Sequence, residues 1–199
     1  MTKTQSSKTK KTATLWFLIP TLLLTVALFT GMERSSGADQ DPLYDYDVEE
    51  RIAELGIELQ TPTPPTANYV RAIRTGNLVF LAGHGPDRPE GGQVTGTMGT
   101  GELTLEEGQE AARFTGISLL TSLKAEIGDL NKVSRIVKVT GMVNADPSYT
   151  EHSQVINGFS DLMVEIFEDR GRHARASVGM SSLPGNIPVE IDMIVEVAD

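Results

Sequence analysis

The apolar residues of this chain change their spacing along its length, and the order of those changes limits the fold more than any single motif does. Near the C-terminal end Val189, Ile191, Met193 and Val195 alternate with Glu190, Asp192, Ile194 and Glu196. That is the period of a strand with one buried face. In two other stretches the spacing is three and four. Leu105, Ala112, Leu119, Leu120 and Leu123 form one such set, and Val155, Phe159, Leu162, Met163 and Ile166 the other. Each predicts a long amphipathic helix. The first opens on Thr104 with Glu107, a capping box, and runs to Gly128. The second covers about 150–168. Strands are predicted at Tyr69–Arg74 and Leu78–Gly83, joined by the hairpin signal Thr75-Gly76-Asn77. Others follow at 133–143, with Val133, Val137, Val139 and Val143 on one face, and at about 174–180 and 188–197. The order is ββαβαββ. It predicts an α+β domain in which two long helices cover one face of a mixed sheet. The sheet then has one face to spare, which suggests burial against other subunits.

The N-terminal part follows different rules. Residues 1–12 carry four lysines and no acid, and residues 13–32, ATLWFLIPTLLLTVALFTGM, carry no charge. At about 1.5 Å per helical residue, that run matches a bilayer core of about 30 Å. Residues 1–38 therefore read as a signal peptide or signal anchor. Ser36-Gly37-Ala38 offers a cleavage site, and the cleaved and retained forms are both open. Lysines before the apolar run keep the N-terminus inside the cytoplasm. The domain is then exported, either periplasmic or anchored to the inner membrane by this segment alone. Residues 39–68 read as a linker with a short helix at about 47–55, stopped by Gly56 and followed by the extended run TPTPPTAN at 61–68. The domain proper is placed at 69–199.

Composition excludes several chemistries. The 199 residues include no cysteine, so disulfides, thiolate metal sites and a cysteine nucleophile are ruled out. Net charge is −10, and from residue 39 onward 26 acids face 12 bases. Such a surface repels phosphate backbones, so no nucleic-acid partner is expected. His84, His152 and His173 lack ligand spacing, and no metal site is expected; each reads as a surface or interface residue.

Two segments carry the remaining chemistry. Gly83-His84-Gly85-Pro86 ends the second strand, where glycine lets backbone approach a ligand; a plain strand-to-loop turn is the ordinary alternative. Arg175 enters a strand among small and apolar neighbours, where a desolvated guanidinium requires an anion. Glu190, near the start of the next strand, is in reach of facing it. That pair reads either as a structural ion pair or as parts of a ligand site.

The residues that carry both segments also carry a resemblance. RHARASVGMSSLPGNIPVEIDMIVEV, NYVRAIRTGNLVFLAGHGP and GDLNKVSRIVKVTGMVNADPSYTEHSQVINGFSDLMVEIF resemble the signature stretches of the Rid (reactive intermediate deaminase, YjgF-type) family over about 69–197. The leading helix RIAELGIEL resembles that of a longer subgroup whose members carry endoribonuclease names. The resemblance implies a chorismate-mutase-like domain, a homotrimer with ligand clefts between subunits, and hydrolysis of 2-imino acids to 2-keto acids and ammonia. It implies that Arg175 holds the substrate carboxylate and that Glu190 places the attacking water. It assigns Tyr69, Gly83 and Asn157 to substrate binding. No cofactor is implied, and the ligand is a 2-imino acid or another small carboxylate. Ser177 stands where the family often has cysteine, and His84 where it has glutamine.

Overall fold

The structure is a computed structural model that describes residues 42–65 and 67–199. The leader expected at 1–38 lies outside the described residues. Among the described residues, no helix is long and apolar enough to cross a membrane.

The short helix α1, Val48–Glu54, is started by Asp47, whose carboxylate accepts from the N–H groups of Glu49 and Glu50. Its Val48 and Ile52 are buried against the domain core. Side chains on either side fasten this segment to the rest. Tyr46 donates to the Ile166 carbonyl at 2.8 Å, and the Arg51 guanidinium lies 3.7 Å over the Tyr46 ring. Arg51 also pairs with Glu168 at 2.8 Å. The described segment before the hairpin is thus part of the same compact unit.

Strands β1, Ala72–Thr75, and β2, Leu78–His84, form the hairpin. Helix α2, Leu105–Ile127, has the expected capping box and ends on Gly128 at φ 81°. Strand β3, Val133–Asn144, precedes helix α3, His152–Phe167. Strands β4, Ala174–Met180, and β5, Val189–Val197, complete the chain. The sheet order is β1-β2-β5-β3-β4, with β3 and β4 parallel and every other pair antiparallel. This is the mixed sheet and element order expected, with β4 as an edge strand.

Helices α2 and α3 approach closely enough that a Cβ on Gly158 would lie 2.0 Å from the Gln109 carbonyl oxygen. Backbone is in the way there, so no larger residue fits. The core lies between the helices and one sheet face: Val139, Val143, Ile191, Met193 and Val195 meet Leu119, Leu123, Phe159, Leu162 and Ile166. One expectation fails. Val137 is on the opposite face, 36 % exposed, while Ile136 is buried in the core. Register shifts against β5 between Val133 and Arg135 and between Ile136 and Lys138 break the strict alternation, so the valine pattern slips. The face away from the helices leaves Ile73, Phe80, Val137 and Val178 exposed.

Candidate functional site

Arg175 sits on edge strand β4 opposite Val139, which in turn is opposite Met193. Residues paired this way share a sheet face, and Val139 and Met193 belong to the core. Arg175 therefore points to the helix side, where α3 receives it. Its Nη1 donates to Asn157 Oδ1 at 3.0 Å and to Ser160 Oγ at 2.8 Å, and its Nη2 donates to the Ser153 carbonyl at 3.2 Å. A guanidinium has five N–H groups. The two that remain are Nε–H and one Nη2–H, both able to donate to a carboxylate. All three acceptors are neutral. None of the ion pairs among the described residues involves Arg175. The structural ion pair with Glu190 does not form.

Glu190 is elsewhere. It lies opposite Met142, which lies opposite Val178, on the face away from the helices. It is two strands from Arg175, roughly 10 Å across the sheet, and three residues, about 10 Å more, along it, and it is on the other side of the sheet. Its neighbour is Gly83. The register of β2 against β5 shifts between Leu81 and His84, and a Cβ on Gly83 would lie 2.1 Å from Glu190 Oε1. The Glu190 carboxylate thus occupies the space above the glycine. Burial, with the Asp192 charge beside it, raises its pKa above the ordinary glutamate range. Tyr69 lies in a bend just before β1, half exposed, on the incoming side of the hairpin. One chain therefore presents two separate groups: Arg175 with Asn157 on the helix side of β4, and Gly83 with Glu190 on the opposite face.

Each group is braced by a histidine read from the sequence as a surface or interface residue and by a serine that drew no notice there. Behind Gly83, His84 is buried rather than at the surface, 2 % exposed. Its Nδ1 is 2.7 Å from the Ala82 carbonyl and its Nε2 is 2.7 Å from Ser122 Oγ. Beside Arg175, His173 repeats the arrangement. Its Nδ1 is 2.7 Å from the Gly171 carbonyl, and its Nε2 is 3.1 Å from Ser160 Oγ. A carbonyl only accepts, so Nδ1 carries the proton in both rings and Nε2 accepts from the serine. Burial lowers the pKa of both imidazoles. A signal for the second bracing pair was present in the sequence: Asn157 and Ser160 are three residues apart, on one face of α3. For His84 no spacing pointed to Ser122, which is 38 residues away in the chain.

Ser177, two residues beyond Arg175 on the same face, has a buried hydroxyl with no hydrogen-bond partner. An open groove of about 320 Å³ beside Arg175 is lined by Ser160, Asp161, Val164, Arg172, His173 and Arg175. A more enclosed cavity of about 60 Å³ lies between α2 and residues 58–63, and includes none of the five predicted site residues. Among the described residues no cluster of histidine and carboxylate groups has metal-binding geometry.

Known proteins share this architecture. A model of the family described as "YjgF/chorismate_mutase-like, putative endoribonuclease" matches residues 49–196. Protein TCP17 of Trypanosoma cruzi is 42% identical over 146 residues, which span 73% of this chain and 91% of that protein. A solved structure of Atu1372, a protein of unknown function from Agrobacterium tumefaciens, is 40% identical with a TM-score of 0.70; the match covers 76% of this chain and 92% of that one. A "putative endoribonuclease" from Shewanella oneidensis MR-1 is 26% identical with a TM-score of 0.72, over 76% of this chain and 100% of that one. With all but the first residue of the leading helix and the last of the mixed sheet inside the matched region, the chain belongs to the YjgF/chorismate-mutase-like family.

Proposed function

We propose that the protein hydrolyses small 2-imino acids, formed from enamines such as 2-aminoacrylate, to 2-keto acids and ammonia, in clefts between the copies of a homotrimer. One observation carries this reading: Arg175 has no carboxylate partner among the described residues, and two of its N–H groups remain for a ligand. A charge held this way by neutral oxygens is arranged for an anion from outside. Family membership is consistent with small-ligand chemistry.

In this reading Arg175 grips the substrate carboxylate, which fixes the adjacent imine carbon. Glu190 lies too far from Arg175 in its own chain, so the water-placing carboxylate belongs to a second copy whose Glu190-bearing sheet face packs against the β4 edge of this one. Water adds to the imine carbon while Glu190 takes its proton, and the proton is returned to nitrogen. The proton of the new hydroxyl then passes to the same nitrogen as the carbon–nitrogen bond breaks, so ammonia leaves and the carbonyl forms. An imine is already electrophilic, so positioning and one oriented water carry the step. The raised pKa of Glu190 suits a group that takes and returns a proton. The reading also places the domain outside the cytoplasm, behind the leader at 1–38. Cleavage of RNA fits less well, because a net charge of −10 opposes a phosphate backbone.

The test is ammonia release from freshly generated 2-aminoacrylate. Arg175→Ala is expected to abolish it with the fold intact, at a cost of about 2–5 kcal/mol for the lost charged partner. Keto-acid binding without turnover would leave the chain a carboxylate binder. A chain starting at residue 39 that stays monomeric and active would remove the intersubunit cleft.

A further inference from the structure

The Arg175 guanidinium is not held by its strand alone. A continuous hydrogen-bond chain runs from a main-chain carbonyl to its Nη1. His173 Nδ1–H donates to the Gly171 carbonyl at 2.7 Å, Ser160 O–H donates to His173 Nε2 at 3.1 Å, and Arg175 Nη1 donates to Ser160 Oγ at 2.8 Å. Every donor direction is fixed. The carbonyl forces the proton onto Nδ1, the bare Nε2 forces the serine to donate, and the serine oxygen is then turned toward the arginine. The imidazole cannot swing away, because its ring stands edge-on to Phe159 with centroids 5.7 Å apart. Phe159 is itself fully buried.

We infer that Ser160 and His173 are positioning residues that select which edge of Arg175 a carboxylate meets. Ser160, held by His173, and Asn157 accept from Nη1, and the Ser153 carbonyl accepts from Nη2. The end-on fork between Nη1 and Nη2 is thereby closed, and Nε–H with one Nη2–H is left for the ligand. A small carboxylate is then held in one orientation, with its neighbouring carbon on one side of the arginine plane. Neither residue needs to touch the ligand. A neutral His173 is required for this polarity, and burial, reinforced by the Arg175 charge, lowers its pKa in that direction. Arg175 is the charged group that faces the ring; the other contacts from α3 and the 171–173 turn are the Ser160 hydroxyl, the Phe159 ring and the Gly171 carbonyl.

The inference rests on the carboxylate-binding reading of Arg175, and one experiment separates the two. In 15N-labelled full-length protein, the guanidinium N–H resonances of Arg175 report its rotation, and pyruvate titration reports carboxylate affinity. Ser160→Ala and His173→Leu are expected to merge the separate Nη–H signals and to weaken pyruvate about tenfold, the factor that ordering by one hydrogen bond supplies. His173→Gln, whose carbonyl again accepts from Ser160 without a charge, is expected to restore both. Unchanged resonances in Ser160→Ala would overturn the inference, and so would unchanged pyruvate affinity beside merged resonances. A failure of His173→Gln to rescue would overturn the part assigned to His173. If Arg175→Ala binds pyruvate as the native protein does, the carboxylate reading itself falls, while the ligand-free resonances still decide whether Ser160 and His173 position the arginine.

Discussion

Adding one methyl group at Gly83 is expected to separate catalysis from folding. A Cβ there would lie 2.1 Å from Glu190 Oε1, 3.0 Å from its Cδ and 3.1 Å from its Cγ. Ordinary contact between carbon and other heavy atoms begins near ~3.5 Å, so the carboxylate oxygen has to withdraw by more than about 1 Å. The atoms in the way are the far end of a flexible side chain on a half-open face, so the backbone is not forced to move. The cost to stability is then that of a changed rotamer, about 1 kcal/mol. The cost to turnover is larger, because a reacting group misplaced by about 1 Å loses on the order of 100-fold in rate. Gly83→Ala is therefore expected to keep its thermal transition within a few degrees of the native protein while ammonia release from 2-aminoacrylate falls by about two orders of magnitude. Native turnover in Gly83→Ala would refute the placing of Glu190 at the reaction. An unfolded protein would refute the argument that only a flexible side-chain end stands in the way.

Other outcomes follow from the same geometry. Glu190 acts in its ionised form and its pKa is raised, so turnover should fall on the acid side at a higher pH than an ordinary glutamate would give; Glu190→Gln should remove that limb and lower kcat more than it changes KM. Arg175→Lys should be nearly as poor as Arg175→Ala in keto-acid binding, because an ammonium lacks the planar fork; near-native affinity would contradict gripping by the guanidinium. The depressed pKa of buried His84 makes stability depend on pH. Below its unfolded pKa of about 6.5 the unfolded chain takes up a proton that the folded chain refuses, so the stability present above that pH is lost as pH falls, by up to about 1.4 kcal/mol per pH unit until the folded pKa is reached. Urea denaturation at pH 7.5 and 5.5 checks this, and His84→Gln should flatten the difference. A reporter active only outside the cytoplasm, fused after residue 199, should be active in the full chain; a signal confined to cytoplasmic reporters would overturn the export reading.

Periodicity alone determined the element order, because hydrophobic spacing is a local property: a residue two or four positions away either shares its face or does not. That is why α2 and α3, the hairpin and the alternation of β5 were legible from Thr104, Gly128, Gly76 and the Val189–Val195 series. It failed at Val137, where a bulge shifted the face without changing the composition. The site was legible only in part. Arg175 announced itself as a charge among small neighbours, and Gly83 and Glu190 were marked by resemblance. Whether Arg175 and Glu190 meet was not written in their spacing. It depended on which strand lies between β4 and β5, and on which face each residue points to. The insertion of β3 between them and the opposite pleat separate the two groups, and this follows from strand pairing over long sequence distances. The same holds for the bracing pairs: Ser122 comes to His84, and Ser160 to His173 and Arg175, only because the helices lie across the sheet. Burial of both imidazoles, and with it their protonation, was likewise decided by the tertiary structure, since a histidine's charge depends on the dielectric and hydrogen-bond partners that folding brings around it.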